Sequence, residues 1–213
     1  MQKPRSIFGI GLLVVAIALP AWADPRSDYL EGVKRYNNGD MMESMTLLKR
    51  GADAGDADAQ AFYAFVLSAS ELEEEAVAYY QKSAAQGNLE GIYGLAGKFS
   101  QGEGVKKDQA QAWKLYHSAA AKGHQGSIIV IASAYMLGGY GLTEEERNSP
   151  NAVEWMRKAG EMAFLPAVEA LIRVYRDGGL GIQPDPAQVN YWAAKAAAIT
   201  GVKDDGSKKR KRK

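Results

Sequence analysis

Apolar side chains recur along this chain at spacings of three and four residues, which is the pattern of amphipathic helices. One such segment, Ala76–Gly87, returns as Ala112–Gly123, Ala152–Ala163 and Val189–Thr200, and more weakly as Ser44–Gly55. In this alignment the equivalent residues are Leu47, Tyr79, Leu115, Trp155 and Trp192, separated by 32, 36, 40 and 37 residues. A period in this range predicts stacked helical hairpins rather than one globular core. The fold class expected is therefore all-α, a right-handed solenoid of about five helix–turn–helix repeats.

The helix that precedes each of the later segments has a pattern of its own. Gly91–Phe99, Ser127–Tyr135 and Ala167–Tyr175 each begin with a small residue, which lets helix backbones approach closely, and continue with an aliphatic and then an aromatic residue at steps of four. Each is followed by a glycine-rich turn that ends in an aliphatic residue, namely Val105, Leu142 or Ile182. The glycines can supply the positive φ that ends a helix, and the aliphatic residue is expected to fill the hairpin.

These residues resemble the Sel1-like repeat family, close relatives of tetratricopeptide repeats. The resemblance covers Asp28 to Gly201 and is most specific in the last three repeats, which follow A-x-x-x-L-x-x-x-Y-x-x-G, then G-aliphatic, then A-x-x-W-x-x-K-A-A. It is weaker in the first two, because the first repeat has a short turn at Gly39-Asp40 and the second replaces the glycine turn with Ser70–Glu75.

The first 23 residues have the layout of a cleavable secretory signal peptide. Lys3 and Arg5 precede an apolar run from Phe8 to Leu19, and Ala21-Trp22-Ala23 supplies a small-residue cleavage site. The run is shorter than the ~20 residues that span a bilayer, although an uncleaved anchor is the alternative. The expected organisation is a signal peptide over 1–23, the repeat array over 24–201 and a disordered tail over 202–213. We expect a periplasmic protein, and the chain has no cysteine for disulfides or lipid attachment.

Charge is distributed unevenly along the chain. The body from Asp24 to Ser207 has 18 basic and 25 acidic side chains, a net charge of −7, whereas the end of the chain is wholly basic. That basic tail consists of Lys208, Lys209, Arg210, Lys211, Arg212 and Lys213. Three interpretations stay open: a solvated terminus, docking on anionic lipid or an acidic partner, and a nucleic-acid patch. The acidic body and the signal peptide argue against nucleic acid as a partner.

Candidate catalytic chemistry is sparse. The two histidines, His117 and His124, are seven residues apart across a glycine, so they do not form a helical metal pair, and His117 is expected at the surface. The glycine-rich stretches at Gly102–Gly104 and Gly138–Gly141 lack the Gly-Lys-Ser/Thr of a phosphate loop and recur in register, so they are interpreted as hairpin turns. The acidic runs Glu73–Glu75 and Glu144–Glu146 are interpreted as solvated helix starts. We therefore expect no enzymatic activity, no metal and no cofactor.

Recognition is expected on the face of the first helices that packing does not use. The third and seventh positions of each first helix lie one turn apart on that face: Leu30 and Lys34, Ala61 and Phe65, Tyr93 and Gly97, Ile129 and Ser133, Glu169 and Arg173. Lys34, Phe65, Tyr93, Ile129 and Arg173 are the predicted protein-binding residues of this concave row, because exposed apolar side chains in a row typically bind protein. The alternative is that the helix phase is off by one and these residues are core.

The family resemblance implies two binding roles. Exported members serve as adaptors in the cell envelope, and others act as immunity proteins that neutralise a secreted antibacterial effector such as a type VI phospholipase. An envelope adaptor is the first hypothesis and an immunity protein the second, since an acidic body suits a basic effector surface. A third hypothesis, a cell-wall hydrolase or β-lactam-binding enzyme, would have to use carboxylates such as Glu90, Glu103 or Asp108 with no histidine nearby.

Overall fold

Residues 24–201 form eleven helices in the computed structural model, and these are the residues that it describes. The predicted signal peptide and the basic tail lie outside the described residues. Five first helices are α1 (Pro25–Asn37), α3 (Ala57–Ala69), α5 (Leu89–Gln101), α7 (Gln125–Leu137) and α10 (Leu165–Asp177). Their partners are α2 (Met41–Asp53), α4 (Glu73–Ala85), α6 (Gln109–Ala121), α9 (Pro150–Glu161) and α11 (Pro186–Thr200), and α8 (Glu144–Arg147) is a short insertion.

Several of the helices begin at side-chain caps that the sequence supplies. Carboxylate or amide oxygens of Asp24, Asp56, Asn88, Asp108 and Asp185 accept a hydrogen bond from a backbone N–H in the first turn of the helix that follows. Such a bond satisfies one of the free N–H groups at a helix start, which is why short polar residues stand at these positions. Each first helix packs against the second helix of its own repeat, which confirms five hairpins.

The first helices form the inner face of the array. Within residues 24–201, the backbones of α1 and α3, of α3 and α5, and of α7 and α10 approach closely, whereas the second helices of neighbouring repeats meet through side chains. Helices that stand closer together on one side of a stack curve the stack toward that side. The predicted concave row therefore belongs to the inner face, and the second helices form the outer face.

The core runs along the array in two clusters that share residues. The first is centred on α2, α3 and α4, with Leu48, Leu67 and Tyr80, and the second continues from α6 to α11. Phe99 and Leu115 pack against both clusters, so the buried apolar surface is continuous between repeats. Each repeat therefore depends on its neighbours to cover its apolar side chains, as expected for a solenoid.

The five residues aligned in the second helices occupy equivalent positions in the structure, but four of the five are only half-buried. Leu47, Tyr79, Leu115 and Trp192 are the seventh residues of their helices, and Trp155 is the sixth of its own. The fully buried residue is the next one along, at Leu48, Tyr80, Tyr116 and Met156, because the following repeat covers that position. No further repeat follows α11 among residues 24–201, so Ala193 at this position is exposed while Trp192 is 1% exposed.

The glycine turns dock each repeat onto the one before it. Gly104 has φ +65°, and a Cβ there would lie 2.3 Å from the carbonyl oxygen of Glu73 at the start of α4. Likewise, a Cβ on Gly181 would lie 3.1 Å from the ring of Pro150 at the start of α9. Val105, Leu142 and Ile182, which follow the turn glycines, pack against the core, as predicted for residues that fill the hairpins.

Close packing also depends on small residues within helices, as the sequence predicts. A Cβ on Gly91 would meet Ser83 Oγ at 2.3 Å, and a Cβ on Gly94 would meet the buried ring of Tyr80 at 2.1 Å. These two glycines therefore allow α5 to lie directly against α4. Across residues 24–201, no helix combines the length and the apolar character needed to cross a bilayer.

Candidate protein-binding face

The ten residues of the concave row lie on the inner face with the predicted helix phase. Lys34, Phe65, Glu169 and Arg173 are exposed, and Tyr93 and Ile129 are half-buried. The exception is Ala61, which is 5% exposed and belongs to the packed interior. The inward residues of the same helices are others, such as Ile128 and Ile131, so the alternative phase does not apply.

The inner face contains two grooves, and the row is divided between them. The N-terminal groove has a volume of about 540 Å³ and includes the predicted residues Phe65 and Tyr93. The C-terminal groove has a volume of about 730 Å³ and includes Arg173. Ile129 lines neither groove, and Lys34 stands apart on α1, where its ammonium pairs with Glu31 at 3.1 Å.

Aromatic rings form most of the N-terminal groove. Its lining residues, from α1, α3, α4 and α5, are Tyr29, Asp58, Ala61, Phe62, Phe65, Tyr80, Glu90, Tyr93 and Gly94. The ring of Phe62 stands 5.8 Å from Phe65 and 6.4 Å from Tyr29, between centroids. Burial raises the pKa of Tyr80 to about 12, so its hydroxyl stays protonated at neutral pH. Phe65 remains 47% exposed above this packed floor.

One carboxylate of this groove is already occupied by a cation. The Arg26 guanidinium bonds to Asp58 and lies over the ring of Tyr29, with Cζ 4.7 Å from the centroid. Asp58 also accepts a hydrogen bond from the amide of Asn88. A cation over an aromatic ring and against a carboxylate is held by two attractions at once.

The second carboxylate, Glu90, stands beside a histidine. His124 caps α7, where its Nδ1 accepts from the amide of Ser127 at 3.1 Å, and its Nε2 lies 3.3 Å from Glu90 Oε1. Since Nδ1 is an acceptor, Nε2 carries the proton and donates to Glu90. Ser127 Oγ lies 2.9 Å from Nδ1, which imitates a serine–histidine–carboxylate set. Ser127 is fully buried, however, so no substrate reaches its hydroxyl and the arrangement is a helix cap.

The C-terminal groove combines exposed apolar residues with charges of both signs. Leu137, at the end of α7, is 81% exposed, and Phe164 and Leu180 also line the groove. Its charged lining residues are Glu144, Arg147, Glu169, Arg173 and Asp177. Asp177 pairs with Arg176 at 2.8 Å, which lowers the pKa of Asp177, and both side chains face solvent.

One wall of the C-terminal groove is α8, which begins with the acidic run that was interpreted as a solvated helix start. Thr143 accepts from the amide of Glu146, and Glu146 accepts in turn from the amide of Thr143, so the acidic run starts a capped helix of four residues. The signal was present as Thr-x-x-Glu, the capping box. The helix that follows is α9, and its N-cap is Ser149. Asn151 lies within α9 and donates to the hydroxyl of Tyr135 at 2.7 Å.

His117 is not the surface residue that the sequence predicted. Its ring lies 4.5 Å from Trp113 and 5.1 Å from Trp155, between centroids, and its Nε2 is buried without a hydrogen-bond partner. His117 lies on the side of α6 that faces the next repeat. This contact becomes visible only when the repeats are packed together. Desolvation, followed by the nearby charge of Lys158, lowers the pKa of His117 below its usual value.

Titration of His117 by NMR is expected to give a pKa below 6.5, because burial and Lys158 both disfavour the charged ring. A depressed pKa means that the neutral ring contributes stability above the unfolded-state pKa, and that this contribution is lost as pH falls through the folded-state pKa. Lys158→Met should raise the pKa of His117, whereas Lys195→Met, on α11, should leave it unchanged. A pKa of 6.5 or more in the native protein would contradict the packing around His117.

The carboxylates considered for a hydrolase have structural partners. Glu103 pairs with the buried Lys98 at 2.8 Å, Asp108 caps α6, and Glu90 is the residue bonded to His124, a neighbour that the sequence did not predict. No group of three or more histidine and carboxylate side chains that could hold a metal ion occurs within residues 24–201. The arrangement therefore offers binding surfaces, while its titratable groups act as caps and ion pairs.

The repeat architecture agrees with the comparison with known families. The Sel1 repeat family model matches residues 57–88, 89–124, 131–164 and 174–198, which together make up more than half of the chain. The chain belongs to the Sel1 repeat family. Proteins with Sel1 repeats generally mediate protein–protein interactions and are generally non-catalytic.

Individual Sel1 repeat relatives share the fold at low sequence identity. The chain is 25% identical to a Sel1 repeat protein from Oxalobacter formigenes, with a TM-score of 0.66 over 82% of this chain and 73% of the other. It is 23% identical to a protective antigen present in uropathogenic Escherichia coli strains, with a TM-score of 0.68 over 82% of this chain and 38% of the other.

A curated relative is the chitin synthase regulator SKT5 from Saccharomyces cerevisiae, which is 24% identical over 170 residues. The match covers 76% of this chain but 24% of SKT5, so this chain spans about a quarter of that relative's length.

Proposed function

We propose that this Sel1 repeat protein is a non-enzymatic adaptor of the periplasm that binds a protein partner on the inner face of its array. The observation that carries the proposal is the pair of inner-face grooves, where Phe65 and Leu137 stay exposed beside packed aromatic and aliphatic residues. A contiguous apolar surface with charged surroundings is typical of a protein-binding site. The proposed location rests on the signal-peptide pattern of residues 1–23.

An immunity protein is the second candidate role, favoured by the net charge of −7 between Asp24 and Ser207. An acidic body of this size would attract a basic effector and speed its association. The two roles differ in the partner: an adaptor binds resident envelope proteins, and an immunity protein binds one secreted enzyme in a fixed stoichiometry.

Affinity capture from crosslinked cell envelopes tests the inner face. A variant with both Phe65→Asp and Leu137→Asp places a charge in each groove and is expected to lose at least about nine-tenths of the captured partner, since a buried unpaired carboxylate opposes binding. Tyr191→Asp, an equally exposed aromatic on the outer helix α11, is the matched control and should retain the partner. Circular dichroism establishes that the variants keep their helices.

Two observations decide the outcome: which proteins are captured, and which variant loses them. Resident envelope proteins would support the adaptor, and a single secreted enzyme that the protein inhibits would support the immunity role. Capture that is unchanged in the double groove variant but lost with Tyr191→Asp would place binding on the outer face and overturn the proposal.

A further inference from the structure

We propose that the N-terminal groove binds a partner segment in which a lysine or arginine stands next to a bulky apolar side chain. This inference rests on the proposed function and specifies its ligand: the cation would pair with the exposed carboxylate of Glu90, next to Tyr93, and the apolar side chain would lie on Phe65. All three residues line the same groove, on α3 and α5.

The chain itself places one cation against two residues that line this groove. Arg26 lies over the ring of Tyr29 and bonds to Asp58, so one ring and one carboxylate of the groove recognise a guanidinium. Tyr29 and Asp58 come from different helices, α1 and α3, and the stacking of repeats brings them together. The chemistry of this wall is thus suited to cations by an observed contact.

A second ring and carboxylate of the groove, Tyr93 and Glu90, have a histidine rather than a lysine or arginine beside them, since the ring of His124 lies 4.8 Å from that of Tyr93, between centroids. Glu90 and Tyr93 both lie on α5, and no lysine or arginine in residues 24–201 forms an ion pair with Glu90. The neighbour of the Glu90 carboxylate is the Nε2 of His124, and the Glu90 side chain is 70% exposed. A carboxylate with free acceptor positions beside an aromatic ring is the arrangement that attracts a lysine or arginine of a partner.

Phe65 supplies the apolar contact. It is 47% exposed, yet its ring is held edge to face 6.2 Å from Tyr36 and at a tilt 5.8 Å from Phe62. An exposed ring held by its neighbours loses little conformational entropy on binding, which is characteristic of residues that dominate binding energy. A bulky apolar side chain of the partner would cover it.

Charge favours the binding of a basic segment in the N-terminal groove rather than in the C-terminal groove. The body carries a net charge of −7, and the residues that line the N-terminal groove include no lysine or arginine. The C-terminal groove carries Arg147 and Arg173 among its carboxylates, so it does not select for basic ligands. The tail Lys208–Lys213 is basic but has no bulky apolar residue, so the ligand we infer belongs to a partner.

The test is a selection of random peptides of about twelve residues on the purified full chain, followed by fluorescence anisotropy of the enriched peptides. The expected peptides place lysine or arginine next to Leu, Ile, Phe or Trp. Phe65→Ser should weaken them about tenfold or more. Glu90→Gln should weaken them about threefold to tenfold, and this loss should vanish for peptides whose lysine is replaced by norleucine. Leu137→Ser, in the other groove, is the matched control and should change nothing.

Each of the other outcomes would contradict one particular part of the proposal. Enriched peptides that are acidic, or that depend on Leu137 and not on Phe65, would overturn this inference and leave the inner face as the binding surface. If the selection yielded no peptide that binds the inner face, the proposed function would be contradicted as well. Binding that becomes more than about tenfold tighter when Lys208–Lys213 are removed would show that the chain's own tail occupies the groove.

Discussion

Trp192→Ala is expected to lower the free energy of unfolding by about 3–5 kcal/mol, the range for removing a large buried aromatic side chain. Trp192 is 1% exposed and closes the last repeat. Its ring fills the space beside Gly160, where a Cβ would lie 2.8 Å from the indole and 3.3 Å from Leu171. Urea unfolding followed by circular dichroism measures the loss.

Trp155→Ala is the matched control, because Trp155 is the equivalent residue of the preceding repeat. Trp155 is half-buried, and the ammonium of Lys158 covers its ring at 4.2 Å. We expect a loss of about 1–2 kcal/mol at this position. Equal losses at the two positions would mean that burial in the folded array does not determine the contribution of this repeat position.

Gly104→Ala is expected to lower the free energy of unfolding by about 3–4 kcal/mol, through positive φ and overpacking together. The new Cβ would lie 2.3 Å from a backbone oxygen of Glu73, which cannot move without shifting the start of α4. The same turn carries Glu103, which shares the buried Lys98 ammonium with Glu73. Displacing the turn therefore also separates a buried ion pair between the second and third repeats.

Gly123→Ala separates the two causes. Gly123 has φ +86°, but no atom lies within 4 Å of the position that a Cβ would take. Only the cost of left-handed backbone remains, about 1–2 kcal/mol. If thermal and urea unfolding gave the same loss for both variants, contact between the turn and the preceding repeat would not contribute to stability.

The repeat pattern was sufficient to predict the fold. Apolar spacing predicted the helix pairs, and counting positions within the first helices placed Phe65 and Arg173 on the exposed inner surface. It could not assign these residues to separate grooves, because a groove depends on how far neighbouring repeats are apart. Tyr29 and Tyr80 line the N-terminal groove but were not in the row: Tyr29 is a different residue of α1, and Tyr80 lies on α4, a second helix.

Contacts between repeats are also where sequence reasoning was wrong. His117 was expected at the surface, but it lies between two tryptophans, one of which belongs to the next repeat. Glu90 was considered to have no histidine nearby, but it bonds to His124 across a separation of 34 residues. Helical periodicity reports which side of a helix is apolar and is silent about which polar residue another helix brings to it.

By itself, the sequence determined the helices, their pairing into five repeats and the turns between them, because these depend on local spacing, caps and glycines. The tertiary structure alone decided which aligned aromatic residue is buried and which carboxylate is left without a lysine or arginine. Trp192 is buried and Trp155 is not, although the two occupy the same repeat position. The reason is physical: burial and pairing in a solenoid are properties of the contact between neighbouring repeats.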